Sequence, residues 1–130
     1  MATVNVDTLR AGYEALNSGD LSSVLNLISD EIVWEPGELS PDAHSLVGGR
    51  AGFEAFVRSW LDAFDDFRVD PYEVIERPPF LIACVHQSGR GRGSGLPIEI
   101  EIAHVWTIAD GNAVRLQSFR SRDEALAAVD

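Results

Sequence analysis

The residue with the clearest potential for chemistry is Glu35, which follows the apolar run Ile32-Val33-Trp34 and precedes Pro36. The β-branched and aromatic residues of that run predict a strand, and the proline ends it. A carboxylate at the mouth of an apolar pocket has its charged form disfavoured by desolvation. The pKa of Glu35 would then rise toward the range used for proton abstraction beside a carbonyl. A carboxylate on a rim that faces water is the alternative, and the residue pattern leaves both open.

Three polar residues on the later strands could complement such a carboxylate. Gln87 shares a strand face with Val85, and Ser118 and Arg120 lie on the last predicted strand. The Arg120 guanidinium could pair with Glu35 or with an anionic ligand group, since guanidinium binds carboxylates in a bidentate manner. A solvated arginine just before the C-terminal helix is an equal alternative.

The histidines and the cysteine are weaker candidates. His86 and His104 lie among apolar strand residues, where a histidine is more often a hydrogen-bonded structural residue, and His44 lies in a long loop. Cys84 lies in an apolar strand, which indicates a buried and inert thiol. The spacing of the three histidines matches no zinc motif, and no serine lies in a G-x-S-x-G motif. We therefore expect neither a metal site nor a cofactor.

Two helices and a strand must position Glu35. Apolar residues recur at helical spacing over residues 6–17 and 21–29. Between them, the Asn-Ser-Gly-Asp segment 17–20 predicts a tight corner, with a glycine suited to positive φ and an aspartate able to cap the second helix. The strand over 32–35 follows, and then a loop over 37–49 whose length is typical of a lid or a pocket wall.

The remaining elements are one long helix, four strands and a short helix. Strands are predicted over 69–76, 80–88, 96–108 and 113–120, with Asp110-Gly111 as a two-residue hairpin turn. Pro71 argues for an edge position or a bulge in the first of these strands. A capping box at Ser121-Arg122-Asp123-Glu124 opens a helix through Val129. The long helix, over 51–64, carries an apolar stripe that serves as core or as ligand contact: Phe53, Phe56, Val57, Trp60, Leu61 and Phe64.

This order of elements predicts an α+β fold. A strongly bent antiparallel sheet wraps around the long helix as a cone-shaped barrel, with two short helices at the N-terminus. The strand over 96–108 is apolar on the face of Ile102 and His104 and also carries Ala103 and Val105 on the other face. A sheet that is apolar on both faces buries one on helices and one on a partner chain, so we expect a homodimer.

Length and charge limit the possible partners. The 130 residues predict a single domain over 1–130. A formal net charge of −11 repels phosphate backbones and anionic lipid, so nucleic-acid and membrane binding are disfavoured. No apolar run is long enough to cross a bilayer, and the first seven residues do not resemble a signal peptide. The expected location is the cytoplasm.

Two long segments carry a family resemblance. "ALNSGDLSSVLNLISDEIVWEP", then a long aromatic helix after "GG", and "AHVWTIADGNAVRLQSFRSRDEALAAV" resemble the SnoaL-like branch of the nuclear transport factor 2-like superfamily. The resemblance covers nearly the whole chain. It implies a cone-like α+β barrel that is usually dimeric. Superfamily members include ketosteroid isomerases, polyketide cyclases, epoxide hydrolases, dehydratases and non-catalytic binding domains, so the resemblance implies no single reaction.

The resemblance also assigns roles to residues. Glu35, just before a proline, falls on the position of the isomerase base. The oxyanion donors of the isomerases are missing, because Ala103 stands at the position of the acid and Gly12 at that of the tyrosine, with Tyr13 one residue away. By the same analogy, His104 points to the face opposite Ala103 and toward a partner chain. The epoxide-hydrolase pattern of two acids bridged by an arginine is not recognisable.

Two functions remain open. One is an enzyme that isomerises, cyclises or dehydrates an apolar small molecule, with Glu35 as the base and Gln87 or Arg120 as the polarising group. The other is a binding or dimerisation module that holds a hydrophobic ligand without transforming it. The residues expected to contact the ligand are Tyr13, Phe56, Trp60, Phe64, Val85, Gln87, Ala103, Val105, Leu116, Ser118 and Arg120.

Overall fold

The computed structural model describes residues 4–35 and 49–129, with the side chains of residues 34 and 35 outside that description. Most of the loop predicted over 37–49, including His44, therefore lies outside the described residues. No helix within the described ranges is long and apolar enough to cross a membrane. The elements are α1 (Val6–Asn17), α2 (Leu21–Leu25), β1 (Ile28–Glu35), α3 (Gly49–Ala63), β2 (Phe64–Arg77), β3 (Phe80–Gly91), β4 (Pro97–Ala109), β5 (Asn112–Phe119) and α4 (Arg122–Val129).

Local capping signals fix the two N-terminal helices. The Asn5 side chain accepts a hydrogen bond from the Thr8 N–H at 3.0 Å, and the Thr8 hydroxyl accepts one from the Asn5 N–H at 2.7 Å. Gly19 has a φ of 86° at the corner between the helices. Asp20 then caps α2, and its hydrogen bonds with Ser23 above all lower the pKa of the Asp20 carboxyl. The predicted corner is confirmed.

The boundary between α2 and β1 differs from the predicted one. A helix over 21–29 was expected, but α2 ends at Leu25 and β1 begins at Ile28. Ile28 pairs with Ala113 of β5, and the Ala113 N–H donates to the Leu27 carbonyl at 3.0 Å. Sheet pairing satisfies these backbone groups. Residues from Ile28 onward are therefore in a strand, although their apolar spacing also suits a helix.

The five strands form one sheet in the order β1-β5-β4-β3-β2. The last four strands are an antiparallel meander as predicted, whereas β1 runs parallel to β5, so the sheet is mixed. Asp110 and Gly111 both have positive φ, at 52° and 84°, as the predicted two-residue hairpin requires. Pro71 lies in the edge strand β2, where the register shifts between Pro71 and Glu73.

The sheet buries apolar residues on both of its faces. Directly paired residues on neighbouring strands share a face, so the pairs Val85–Ile102 and Cys84–Ala103 define two opposite sides. The side of Val85 and Ile102, here the concave face, packs with α1, α2 and α3. The side of Cys84 and Ala103, here the convex face, packs with α4 through Ala125.

The C-terminal helix explains much of the apolar character of the convex face. Ser121 accepts a hydrogen bond from the Glu124 N–H at 3.1 Å, and the Glu124 carboxylate accepts one from the Arg120 N–H at 3.2 Å. This cap sets α4 against the sheet, where Ala125 is fully buried. Ala103 and Val105 are therefore covered within the chain, and the homodimer stays a prediction.

Candidate ligand-binding cavity

A cavity of about 400 Å³ lies between the concave face of the sheet and the helices α1, α2 and α3. Aliphatic and aromatic side chains form most of its wall, and none of the described lining residues carries a carboxylate, guanidinium or ammonium group. Such a wall with a few polar groups is typical of small-molecule sites. The polar side-chain groups belong to Tyr13, Gln87, His104, Trp106 and Ser118.

Four aromatic rings form one end of the cavity. Trp60 packs against Phe64 with 5.4 Å between ring centroids, against Phe67 with 5.8 Å and against Phe56 with 5.9 Å. All four rings line the cavity. The stripe predicted on the long helix therefore serves both as core and as cavity wall. It gives a flat apolar ligand a surface on which to stack.

A second group, Tyr13, His104 and Trp106, is linked by hydrogen bonds. The Trp106 Nε1–H donates to the Tyr13 hydroxyl oxygen at 3.0 Å, and this oxygen lies 2.7 Å from Nδ1 of His104. His104 and Trp106 are two residues apart on β4 and so share the concave face, while Tyr13 reaches them from α1. The Tyr13 and His104 rings are nearly parallel, at 6°.

These bonds assign the proton of the imidazole. An indole N–H can only donate, so the Tyr13 oxygen accepts from Trp106. Among the described residues, Nδ1 of His104 is the only acceptor within reach of the phenol proton, so we assign that proton to this bond. Because Nδ1 is then an acceptor, the neutral ring carries its proton on Nε2. Burial lowers the pKa of His104 from 6.5 to about 4, so the ring is neutral at pH 7. Burial also raises the pKa of the Tyr13 phenol, which stays protonated.

The Nε2–H of His104 is available to a ligand. No group among the described residues accepts a hydrogen bond from Nε2, and His104 is partly exposed and lines the cavity. Ser118 is the partner of His104 across β4 and β5, which places its hydroxyl on the same face beside the imidazole.

Gln87 is the other polar residue with unused hydrogen-bonding groups. Its side chain lines the cavity and is only 8% exposed. Within the described part of the chain, its amide has no hydrogen-bond partner. The amide is not among the described polar atoms that are sealed from solvent, so solvent in the cavity can reach it. A ligand that excludes this solvent must offer a polar group, because an amide left buried without a partner is costly.

Seven of the eleven predicted contact residues line the cavity, and four do not: Val85, Arg120 and the two β4 residues Ala103 and Val105. Val85 is fully buried in the concave core and does not line the cavity. Arg120 is exposed beyond the end of β5 and does not line it either. The seven lining residues are Tyr13, Phe56, Trp60, Phe64, Gln87, Leu116 and Ser118.

The predicted orientation of β4 was wrong. Ala103 and Val105 were expected in the cavity, but they lie on the convex face beneath α4. His104 was expected to face a partner chain, but it lines the cavity. The reason is the β3–β4 register, which pairs Cys84 with Ala103 and Gln87 with Ile100. Since paired residues share a face, Gln87 and Ala103 cannot both point into the cavity.

The Glu35 backbone ends β1 opposite Gln117 of β5. Gln117 shares the convex face with Val105, whereas its neighbours Leu116 and Ser118 line the cavity. The side chain of Glu35 lies outside the described part of the structure, so its role as a base stays a prediction.

The sequence reasoning missed Trp106 and the isoleucines of β4 as cavity residues. Ile98, Ile100 and Ile102 line the cavity on the same face as His104. The pairing of β3 with β4 would have revealed them, because it puts Gln87 on the same face as the residue directly opposite it. The sequence of the connecting segment 89–95, which is rich in glycine and arginine, does not fix which residue that is.

Several solved structures share this fold. An NTF2-like protein of unknown function from Burkholderia pseudomallei is 23% identical, with 95% of each chain covered and a TM-score of 0.75. IdmH from Streptomyces antibioticus, a candidate polyketide cyclase, is 22% identical over 93% of this chain and 94% of its own, with a TM-score of 0.75. A Catenulispora acidiphila protein with a ketosteroid isomerase-like fold is 12% identical over 97% and 94%, with a TM-score of 0.73.

At these identities the structural likeness shows the fold alone. No curated protein matches the sequence. The family model of the SnoaL-like domain matches residues 9–116, which run from Leu9 in α1 to Leu116 in β5. The chain therefore belongs to the SnoaL-like domain family.

Proposed function

We propose that this protein is a small-molecule enzyme that uses general acid–base chemistry on a mostly apolar substrate held in the cavity. The reaction would be an isomerisation, cyclisation or dehydration that passes through an enol or enolate. The observation that carries this proposal is the Nε2–H of His104, which the Tyr13 and Trp106 hydrogen bonds aim from a fixed ring. A container for a purely apolar ligand would need no such donor.

In this proposal, His104 binds the carbonyl oxygen of the substrate. A fixed N–H directed at the oxygen on which negative charge develops stabilises the transition state without having to reorganise. The imidazole stays neutral at pH 7 because burial lowers its pKa to about 4. It therefore donates a hydrogen bond but does not release a proton. Ser118, next to it across the sheet, supplies a hydroxyl as a second donor to the same oxygen.

The base in this proposal is Glu35. Its carboxylate would take a proton from the carbon beside the carbonyl and return it to another position. The support is the position of Glu35 at the end of β1, directly before Pro36. The register adds no support, because Glu35 pairs with Gln117, a residue of the convex face, so the Glu35→Gln variant has to decide this assignment. We assign no catalytic role to Arg120, which does not line the cavity.

A non-catalytic binding protein is the second candidate. It is favoured by one observation, the lack of any carboxylate among the described lining residues. Such a protein would be stabilised by its ligand and would form no product.

Deuterium exchange into a simple ketone separates the two candidates without knowledge of the natural substrate. α-Tetralone is incubated with the protein in D₂O, and loss of its α-protons is followed by NMR. We expect exchange by the wild type, a drop of at least about 100-fold in Glu35→Gln, and no change in Glu31→Gln, an exposed glutamate of the same strand. Full activity in Glu35→Gln would contradict the assignment of the base.

The role of His104 is tested by the double variant Tyr13→Phe/His104→Phe, which removes the imidazole together with the phenol that donates to it. The Trp106 Nε1–H then loses its acceptor, so the stability of the variant is measured alongside its activity. Loss of the donor is expected to slow exchange by about 100- to 1000-fold while the thermal transition remains cooperative. Binding of α-tetralone to the wild type without any catalysed exchange would support the non-catalytic alternative.

A further inference from the structure

The cavity carries unused polar groups at two separate places. One is the Nε2–H of His104, beside Tyr13 and Ser118. The other is the side-chain amide of Gln87, which is buried, lines the cavity and has no hydrogen-bond partner among the described residues. A single oxygen at His104 would leave the amide unpaired, and burial without a partner costs free energy.

The strand register gives the separation of the two places. His104 pairs with Ala83 across β3 and β4, and Gln87 lies four residues beyond Ala83 on β3. At about 3.3 Å per residue the two positions are roughly 13 Å apart along the sheet. Both side chains lie on the concave face, and apolar residues such as Ile102 lie between them.

The surroundings of Gln87 differ from those of His104. Gln87 pairs with Val69, two residues from Phe67, and with Ile100, which is 41% exposed. A Cβ at Gly89 would lie 3.2 Å from the Cβ of Phe64, so β3 approaches Phe64, one of the four aromatic residues, closely at this position. Gln87 therefore lies at the aromatic and more open end, and His104 at the opposite end.

Charge restricts what these two groups can bind. None of the described lining side chains is charged at pH 7, and the whole chain has a net charge of −11. An anionic ligand would lose its hydration without gaining a counter-charge. An amide and a neutral imidazole are suited to carbonyl and hydroxyl groups.

We infer that the cavity selects an uncharged, elongated apolar molecule with a carbonyl or hydroxyl group at each end, one bound by His104 and the other by Gln87. This inference rests on the ligand-binding part of the proposed function and makes Gln87 a specificity residue, not a catalytic one. The catalytic step is independent of it.

Three rigid probes test this inference by isothermal titration calorimetry: biphenyl, biphenyl-4-ol and biphenyl-4,4′-diol. Each added hydroxyl should raise the affinity of the wild type by roughly 3- to 10-fold.

Gln87→Met keeps the side-chain length but removes the amide, and it should make the diol bind no more tightly than the mono-ol. Gln117→Met is the matched control, because it makes the same change on the convex face and should keep the advantage of the diol. Biphenyl-4-carboxylate should bind more weakly than biphenyl-4-ol.

The outcomes separate this inference from the proposed function. Equal binding of all three probes, unchanged in Gln87→Met, would overturn two-point recognition while leaving an apolar binding site in place. Tighter binding of the carboxylate would overturn the selection of uncharged ligands. Binding of none of the probes would overturn both this inference and the ligand-binding part of the proposed function.

Discussion

The imidazole of His104 is held in one tautomer by two neighbours rather than by a carboxylate. A carboxylate partner would favour the charged ring and raise its pKa. Here the partner is a phenol that itself accepts from an indole, and the buried ring stays neutral. A neutral N–H donor can be placed in an apolar cavity at a lower desolvation cost than an imidazolium.

The pKa of His104 makes stability depend on pH. The native ring has a pKa of about 4, whereas the ordinary pKa of histidine is 6.5, so between these pH values the unfolded chain binds a proton that the native chain does not. This contribution to the free energy of unfolding is complete above pH 6.5 and is lost as the pH falls toward 4, by about 3 kcal/mol in total.

Urea unfolding at pH 7 and pH 4.5 measures this effect. The carboxylates of the chain also titrate in this range, so the wild type is compared with Tyr13→Phe/His104→Phe. The wild type should lose about 2 kcal/mol more than the variant over that interval. Equal losses in the two proteins would show that His104 is not buried in its neutral form.

At the scale of elements, one asparagine side chain joins α1 to the edge strand β2. The Asn17 amide donates to the Val69 carbonyl at 3.0 Å, and the Val69 N–H donates to the Asn17 side-chain oxygen at 2.7 Å. The side chain thus takes the place of a neighbouring strand at the sheet edge. Val69 lines the cavity, so this contact also fixes one wall.

Asn17→Ala should destabilise the fold by about 2 kcal/mol, because it leaves two backbone groups of a buried residue without partners. Asn26→Ala, at the exposed end of α2, should change the free energy of unfolding by less than about 0.5 kcal/mol. Urea unfolding of both variants measures the difference. A wild-type stability for Asn17→Ala would mean that water replaces the side chain at the edge.

The helix α4 shields the one cysteine of the chain. Cys84 lies on the convex face in a cluster with Ala125, and burial raises the pKa of its thiol. Ala125→Glu puts a carboxylate into a fully buried position, so α4 should detach and labelling of Cys84 by Ellman's reagent should accelerate by on the order of 100-fold. Ala127→Glu, on the exposed side of α4, is the control. Equal labelling rates in the two variants would show that α4 does not cover the thiol.

At the scale of the whole molecule, the acidic surface and the uncharged cavity favour the same ligands. A net charge of −11 repels anions before they reach the cavity, and the described lining residues offer them no counter-charge. Neutral molecules meet neither barrier.

The assembly is a further property of the whole molecule. Although α4 covers part of the convex face, Val33 on the same side, paired with Arg115, is 46% exposed. We expect sedimentation at twice the chain mass of 14.2 kDa, and a shift toward the monomer in Val33→Lys, which puts a charge into an apolar contact. Wild-type sedimentation at 14.2 kDa would contradict the predicted homodimer.

Local signals in the sequence determined most of the elements. The Asn-Ser-Gly-Asp corner, the Asp110-Gly111 turn and the Ser121 cap each depend on hydrogen bonds or φ values within a few residues. Residues that are so near to one another in the sequence meet in almost any compact fold. Their types alone therefore predict these features. The family resemblance extended this to the α+β cone. Of the stripe predicted on the long helix, Phe53, Phe56, Val57 and Trp60 lie on α3 and line the cavity.

The tertiary structure decided which face of β4 lines the cavity. Alternation along a strand separates two faces, but when both are apolar it does not say which one meets the helices. That choice depends on the β3–β4 register and on α4. The helix α4 covers Ala103 on the convex face, while His104 on the concave face forms a hydrogen bond with Tyr13. The parallel pairing of β1 with β5 and the early end of α2 were decided in the same way, by contacts between residues far apart in the chain. The sequence by itself therefore determined the elements and the presence of a cavity, whereas long-range pairing determined the polar groups that the cavity presents.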